Sequence, residues 1–293
     1  MKDNQLFSPK QIGSALGVSE ASIKRWVDKG IIGCSKTDGG HRKIPMHALI
    51  EYIKKNNAEL VNPGAVNIPE TTGRVKDKME KSAEELQQAF KDCDEYKIQG
   101  IIYDLFTSGQ KPEIIFDTLL APALHQLGCD WEDGAVDAFQ ERRTIQICIR
   151  LLYNFNSFFP PPEQDAPIAI LGTLSNDPYT IPPLMIEVCL RALGWRTEFL
   201  GNDLPAESYT KAIEMYSPDI IVISMSSCGD EDLATQELKE LEKAALKHNC
   251  GFILGGRGVP EQAVPKLKKT LLVPSISDML EKLDSFRKSL KLI

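Results

Sequence analysis

The feature that most constrains the fold is an alternation in the C-terminal half, where short apolar runs are separated by longer helix-like segments. Four runs stand out, at 168–172, 197–201, 220–224 and 252–256, with a weaker fifth at 271–273. The segments between them lie near 184–193, 206–215 and 231–248. Strands alternating with helices predict a parallel, doubly wound α/β sheet of the Rossmann or flavodoxin type over residues 165–293.

The ends of these predicted strands are the candidate ligand site, because doubly wound folds bind ligands at the carboxyl ends of their strands. Three of the ends are rich in small or polar residues, which leaves room for a ligand and offers hydrogen bonds to it. The candidate pocket residues there are Asp177, Tyr179, Ser224, Ser226, Gly255 and Gly256.

The N-terminal residues carry a helix-turn-helix pattern. Ser8, Pro9 and Gln11 form a helix start of the capping-box type, Gly17 permits a tight turn, and Ser19 can cap a second helix. Two short helices joined by a glycine turn are typical of a helix-turn-helix. The candidates for contact with the major groove are the outward-facing Ser22, Lys24 and Arg25.

A wing and a third helix are predicted next. Asp38, Gly39 and Gly40 form a strong hairpin turn signal with basic residues around it. Apolar residues then recur at helical spacing between Met46 and Ile53, which predicts a helix behind the wing and a DNA-binding domain over residues 1–57. The candidate wing contacts are Lys36, His41, Arg42 and Lys43.

Charge is segregated along the chain in a way that suits this interpretation. The net charge is −7, yet residues 1–57 hold ten Lys or Arg against five acids, giving +5 and leaving −12 for the remainder. Only the first segment is therefore equipped to meet phosphates. The seven scattered cysteines form no Cys-x-x-Cys pair, so no metal site is predicted. Without a long apolar stretch or a signal peptide, we expect a cytoplasmic protein with no membrane partner.

Between these domains the composition predicts a linker and a helical bundle. Residues 58–77 are rich in Pro and Gly, which favours a linker that lets the two halves reorient. Residues 78–160 are helix-like, with breaks at 109–112 and 133–134, and predict a bundle of three or four helices. On composition alone, Trp131 would be a core aromatic and Glu141 a surface charge.

Residues 8–12, 22–26 and 37–44 together resemble the DNA-binding domain of the MerR family. The resemblance implies that the second helix enters the major groove and that His41 and Arg42 lie at the phosphate backbone or minor groove. It also implies that the protein binds a palindromic operator in double-stranded DNA as a dimer.

The bundle and sheet resemble the cobalamin-binding module of methionine synthase and of the CarH and LitR type of photoreceptor regulators. Trp131 and Glu141 match the helical cap motif of that family, in which the Trp lies over the upper face of cobalamin. Ser224, Gly255 and Gly256 match positions that line the pocket for the nucleotide tail. The resemblance implies a regulator with a sensor module behind its DNA-binding domain.

The sequence departs from that family where cobalt would be ligated. The family motif is Asp/Glu-x-His-x-x-Gly, whereas this chain keeps Asp177 but has Tyr179 in place of His and Pro182 in place of Gly. The cap motif ends in Arg142 where the family has His. Because imidazole is the expected cobalt ligand, the comparison implies loss of cobalt ligation and of light sensing through a cobalt–carbon bond.

Three interpretations of the sensor module remain open at this point. It could hold cobalamin without a protein ligand, bind another molecule such as a haem, a bilin or a small hydrophobic compound, or serve oligomerisation or protein binding without any ligand. No substrate barrel or paired nucleophile and base is present, so an enzyme is not expected. The expected function is sequence-specific transcriptional regulation by a homodimer or larger homo-oligomer, with repression favoured; the alternative is an anti-repressor that acts by protein contact.

Overall fold

The computed structural model describes residues 5–37, 39–69 and 79–290. The chain divides into two compact units, Met1–Pro160 and Pro161–Ile293. The predicted multidomain architecture of helix-turn-helix, helical bundle and parallel sheet is confirmed. In the described part of the chain, no helix has the length and apolar character that crossing a membrane requires.

The first unit begins with the winged helix-turn-helix. Its elements are β1 (Leu6–Phe7), α1 (Pro9–Leu16), α2 (Glu20–Asp28), β2 (Ser35–Lys36), β3 (Arg42–Pro45) and α3 (Met46–Asn56). The capping box at Ser8 and Gln11 forms as predicted, and Gly17 ends α1 in the left-handed conformation. The strand β1 was not predicted; two residues are too few for an alternation signal, and pairing with β3 defines it.

The predicted linker is structured as far as it is described. Residues 63–66 form a 3₁₀ helix, and the side chains of Val66 and Ile68 are buried. The backbone of Asn62 donates to the carbonyl of Ala15, and its side-chain amide donates to Ser14 Oγ at 3.0 Å. Up to Pro69 the expectation of a free linker is therefore wrong, because scattered apolar residues bury themselves despite the Pro and Gly content. Residues 70–77 of that linker lie outside the described residues.

The predicted bundle is confirmed as four helical segments. They are α4 (Met79–Lys91), α5 (Glu95–Thr107), a third segment made of α6 (Pro112–Ile115), a π turn (Phe116–Leu120) and α7 (Ala121–Glu132), and α8 (Ala138–Phe155). The π turn precedes Pro122, which has no N–H for the usual helical hydrogen bond. The break between α4 and α5 was not predicted, since it depends on Cys93 adopting a φ of 51°.

The second unit is the predicted doubly wound sheet. Its elements are β4 (Ile168–Gly172), α9 (Ile181–Ala192), β5 (Arg196–Phe199), α10 (Ala206–Tyr216), β6 (Ile220–Ser224), α11 (Glu231–Lys247), β7 (Gly251–Gly255), β8 (Leu271–Val273) and α12 (Ile276–Leu290). The strands are parallel in the order β5-β4-β6-β7-β8. Successive strands are added on one side of β4 and then on the other, beginning with β6, and the crevice of such folds lies at the carboxyl ends of the two strands where this switch occurs.

Candidate functional site

The winged helix-turn-helix, from β1 to α3, is called the head, and its second helix, α2, carries the predicted major-groove residues. Ser19 caps α2 by accepting from the backbone N–H of Ser22, which fixes where the helix begins. Lys24 and Arg25 are exposed on α2, while Ser22 is half-buried. Lys24 pairs with Glu20 at 2.7 Å, and this hydrogen bond lowers the pKa of Glu20 below its ordinary value. Arg25 has no acidic partner among the described residues.

The wing is held in a tight hairpin. Thr37 donates its N–H to the carbonyl of His41 at 3.0 Å and accepts the His41 N–H on Oγ1 at 3.2 Å. Gly40 has a φ of 76°, a conformation that glycine adopts readily. Lys36 and His41 are exposed and Lys43 is half-buried, so the predicted contact residues other than Arg42 extend from one short hairpin. Asp38 of the turn lies outside the described residues.

Arg42 differs from its neighbours because its guanidinium is already engaged. It donates from Nε and Nη2 to Asp28 Oδ1 at 3.1 and 2.7 Å, and from Nη2 to Asp28 Oδ2 at 3.0 Å. Asp28 is the last residue of α2, so this ion pair joins the second helix to the wing. Sequence reasoning missed the pair, because no local spacing relates residues 14 positions apart.

In the bundle, the residues of the cap motif lie near the ends of α7 and α8. Trp131 is 43% exposed, so the composition-based expectation of a core aromatic is wrong. Glu141 pairs with the exposed Arg142 at 3.4 Å. These residues and the crevice residues belong to different units, so their predicted sharing of one pocket stays a prediction.

In the sheet unit, Asp177 is buried, and both of its carboxylate oxygens accept hydrogen bonds from backbone N–H groups. Oδ1 accepts from the N–H of Tyr179 at 3.1 Å, and Oδ2 accepts from the N–H of Ser226 at 2.6 Å. Burial raises the pKa of Asp177 above its ordinary value, and the hydrogen bonds from Ser226, Tyr179 and Ser227 oppose that rise. Asp177 therefore ties the loop after β4 to the loop after β6.

A second carboxylate, which the sequence did not connect to this loop, supports the same turn. Asp203 Oδ1 accepts from the N–H of Asn176 at 2.7 Å, and the Asp203 N–H donates to Thr173 Oγ1 at 2.9 Å. Thr173 in turn donates to the carbonyl of Asp177 at 2.6 Å. The only sequence signal for this network was the position of Asp203, shortly after the end of a predicted strand.

The remaining predicted pocket residues divide between surface and framework. Tyr179 is 52% exposed, and Ser224 is buried at the end of β6. A Cβ added to Gly256, whose φ is 111°, would overlap the carbonyl oxygen of Met225. One added to Gly255 would lie 2.8 Å from the carbonyl oxygen of Val273. Both glycines are thus required by close approach of the backbone, whatever ligand the crevice accepts.

These residues do not fit the ligation of cobalt by imidazole. Tyr179 occupies the motif position of the ligand, and a phenol with a pKa near 10 is a poor ligand at neutral pH beside an imidazole. Asp177, which would orient such an imidazole, accepts the backbone N–H groups of Tyr179 and Ser226 instead. In the second unit the sole histidine of the sequence is His248, which lies 3.7 Å from Glu214 at the far end of α11.

Comparisons with known proteins agree with this architecture. Residues 6–57 match the helix-turn-helix domain family, and residues 82–150 match the B12 binding domain family. The chain is 23% identical over 263 residues to the HTH-type transcriptional repressor CarA of Myxococcus xanthus, covering 86% of this chain and 87% of the relative. It is 23% identical over 266 residues to the repressor CarH of the same organism, covering 85% and 88%.

The fold is also found in a solved structure. The monomethylamine corrinoid protein of Methanosarcina barkeri is similar over 74% of this chain and 100% of its own length, with 13% identity and a TM-score of 0.54. At this identity the likeness concerns the fold alone.

Proposed function

We propose that this chain, a DNA-binding transcriptional regulator with a helix-turn-helix head and a B12-binding type of fold, recognises its operator with α2 and the wing. We further propose that its sheet unit does not ligate cobalt. The observation that carries the first part is the exposed Arg25 on a capped second helix, beside a hairpin bearing Lys36, His41 and Lys43; no acidic residue in the described part of the chain pairs with Arg25. Exposed cations on such a helix and wing suit major-groove and phosphate contacts.

The proposed mode of action is repression by a homodimer at a palindromic site in the cytoplasm. The similarity to two repressors over most of the chain supports repression and favours a regulator over an enzyme. A symmetric operator suits a head that reads a single half-site, because two copies then supply two recognition helices.

The part of the proposal that concerns cobalt rests on Tyr179, which stands where the family motif has the ligand His, and on the hydrogen bonds of Asp177. In the family motif the carboxylate holds the ligand imidazole, as outer-shell carboxylates commonly do. Here the same carboxylate is buried and bridges Tyr179 and Ser226, and the exposed Tyr179 has taken the position of the ligand. The carboxylate of this loop therefore joins the loop after β4 to the loop after β6.

The DNA-binding part is tested with the full chain and a duplex selected from a random pool by the wild-type protein. Arg25→Ala should lower affinity for the selected duplex about tenfold and for a scrambled duplex much less, because a base contact carries discrimination. Lys239→Ala, which removes an exposed cation from α11, is the matched control and should change neither. Equal loss on both duplexes would assign Arg25 to the phosphates, and no loss on either would contradict its place in the interface.

A further inference from the structure

The ion pair between Arg42 and Asp28 joins two separate elements of the head. Arg42 is the first residue of β3 in the wing, and Asp28 is the last residue of α2. Two guanidinium nitrogens reach both carboxylate oxygens at 2.7 to 3.1 Å. A forked arginine–carboxylate contact fixes direction as well as distance, which a single lysine contact does not.

The same helix carries a second acid that forms a different kind of pair. Glu20 contacts Lys24 at 2.7 Å, four residues further along α2. A pair at this spacing stabilises the helix on which both residues lie and connects it to nothing else. Glu20 and Asp28 therefore carry the same charge at opposite ends of α2, but only Asp28 connects the helix to another element.

We infer that Asp28 is a positioning residue for DNA recognition: through Arg42 it sets the wing at a fixed angle to α2. This inference rests on the proposed DNA-binding function. The wing and the second helix must contact adjacent parts of one duplex, so their mutual orientation decides whether both can contact it at once. Lys36 and Lys43, which have no acidic partner among the described residues, are then the free cations of the wing.

We call the Arg42–Asp28 ion pair the clamp. Its loss should change DNA affinity in the direction opposite to that expected from charge alone. Removing an acid from a surface that faces phosphates raises the local positive potential and should strengthen binding. Neutralising Glu20 should follow this rule, because it frees Lys24. Neutralising Asp28 should weaken binding instead, because the wing loses its fixed orientation.

The test compares Asp28→Asn with Glu20→Gln in the full chain, using the selected duplex. Asp28→Asn should weaken binding about threefold to tenfold, within the range that a well-formed charge pair supports, whereas Glu20→Gln should leave binding unchanged or tighter. Arg42→Lys keeps the charge but loses the fork, and should weaken binding to a similar extent. Retention of full affinity by Arg42→Lys would indicate a simple phosphate contact and overturn the clamp.

Hydrogen exchange without DNA gives a second and independent readout. Amides of the wing, residues 35–44, should exchange faster in Asp28→Asn than in wild type, with no change in Glu20→Gln. Unchanged wing protection together with equal or tighter DNA binding by Asp28→Asn would contradict the inference. Failure of the wild-type chain to bind any selected duplex would instead contradict the proposed function, and the exchange result would still decide whether the clamp exists.

Discussion

Several motif residues of the head are exposed to solvent, whereas two in the crevice of the sheet unit are engaged in holding the fold. In the head, Arg25, Lys36 and His41 project outward, and nothing in the described part of the chain neutralises the two cations Arg25 and Lys36. In the crevice, the buried Asp177 carboxylate accepts backbone N–H groups, and the backbone of Met225 approaches Gly256 closely, so both residues support the fold. The difference shows that a retained motif residue indicates a binding site only where its polar atoms or its space remain available.

The largest expected effect tests whether Gly256 belongs to the framework. Gly256→Ala should destabilise the sheet unit by about 3 kcal/mol or more, because the added Cβ overlaps the backbone of Met225 and the φ is positive. Gly201→Ala is the matched control, since its φ is 103° and no atom lies within 4 Å of an added Cβ. Chemical denaturation of both variants measures the difference, and equal losses would remove the argument from close approach.

Next in size is the effect of removing the carboxylate of Asp177. Asp177→Ala should lower the free energy of unfolding by about 2 to 3 kcal/mol, because the N–H groups of Tyr179 and Ser226 lose their acceptor. Tyr179→Ala, at an exposed side chain of the same loop, should change it by less than about 0.5 kcal/mol. An unchanged free energy of unfolding in Asp177→Ala would mean that the carboxylate does not tie the loops after β4 and β6 together.

A smaller effect, on DNA affinity, is expected from the cations of the wing. Lys43→Ala should weaken DNA binding by about 1 kcal/mol on any sequence and reduce the slope of log affinity against log salt by about 1, as expected for one phosphate contact. Titrations at several salt concentrations measure both quantities. An unchanged slope would exclude Lys43 from the phosphate contacts.

The smallest expected effect is a pH dependence of the head. Burial lowers the pKa of His47 below 6.5. The unfolded chain therefore binds more protons than the folded chain just below pH 6.5, and the stability of the head should fall as the pH is lowered through this window. His47→Gln should flatten the profile there, as followed by thermal unfolding; a profile identical to that of the wild type would show that His47 does not contribute.

Much of the fold followed from the sequence because its signals are local. The capping box at Ser8 and the apolar runs of the sheet depend on neighbouring residues, and they form where predicted. The contacts that define the sites are not local: Arg42 reaches Asp28, and Asp177 reaches Ser226, 49 residues away. The packed segment up to Pro69 was missed for the same reason, since its composition indicated flexibility while its contacts lie on α1.

The central proposal is that the head binds DNA and that the sheet unit does not ligate cobalt. It is tested most directly by incubating the full chain with methylcobalamin, removing free ligand by desalting, and recording the absorbance spectrum of the protein fraction. We predict no retained corrinoid absorption, because Tyr179 stands at the motif position of the ligand imidazole and the Asp177 carboxylate accepts the backbone N–H of Ser226. Retention of one equivalent of cobalamin with a spectrum that shows ligation of cobalt by the protein would contradict the account, whereas retention with the spectrum of free methylcobalamin would mean that the chain holds cobalamin without ligating it.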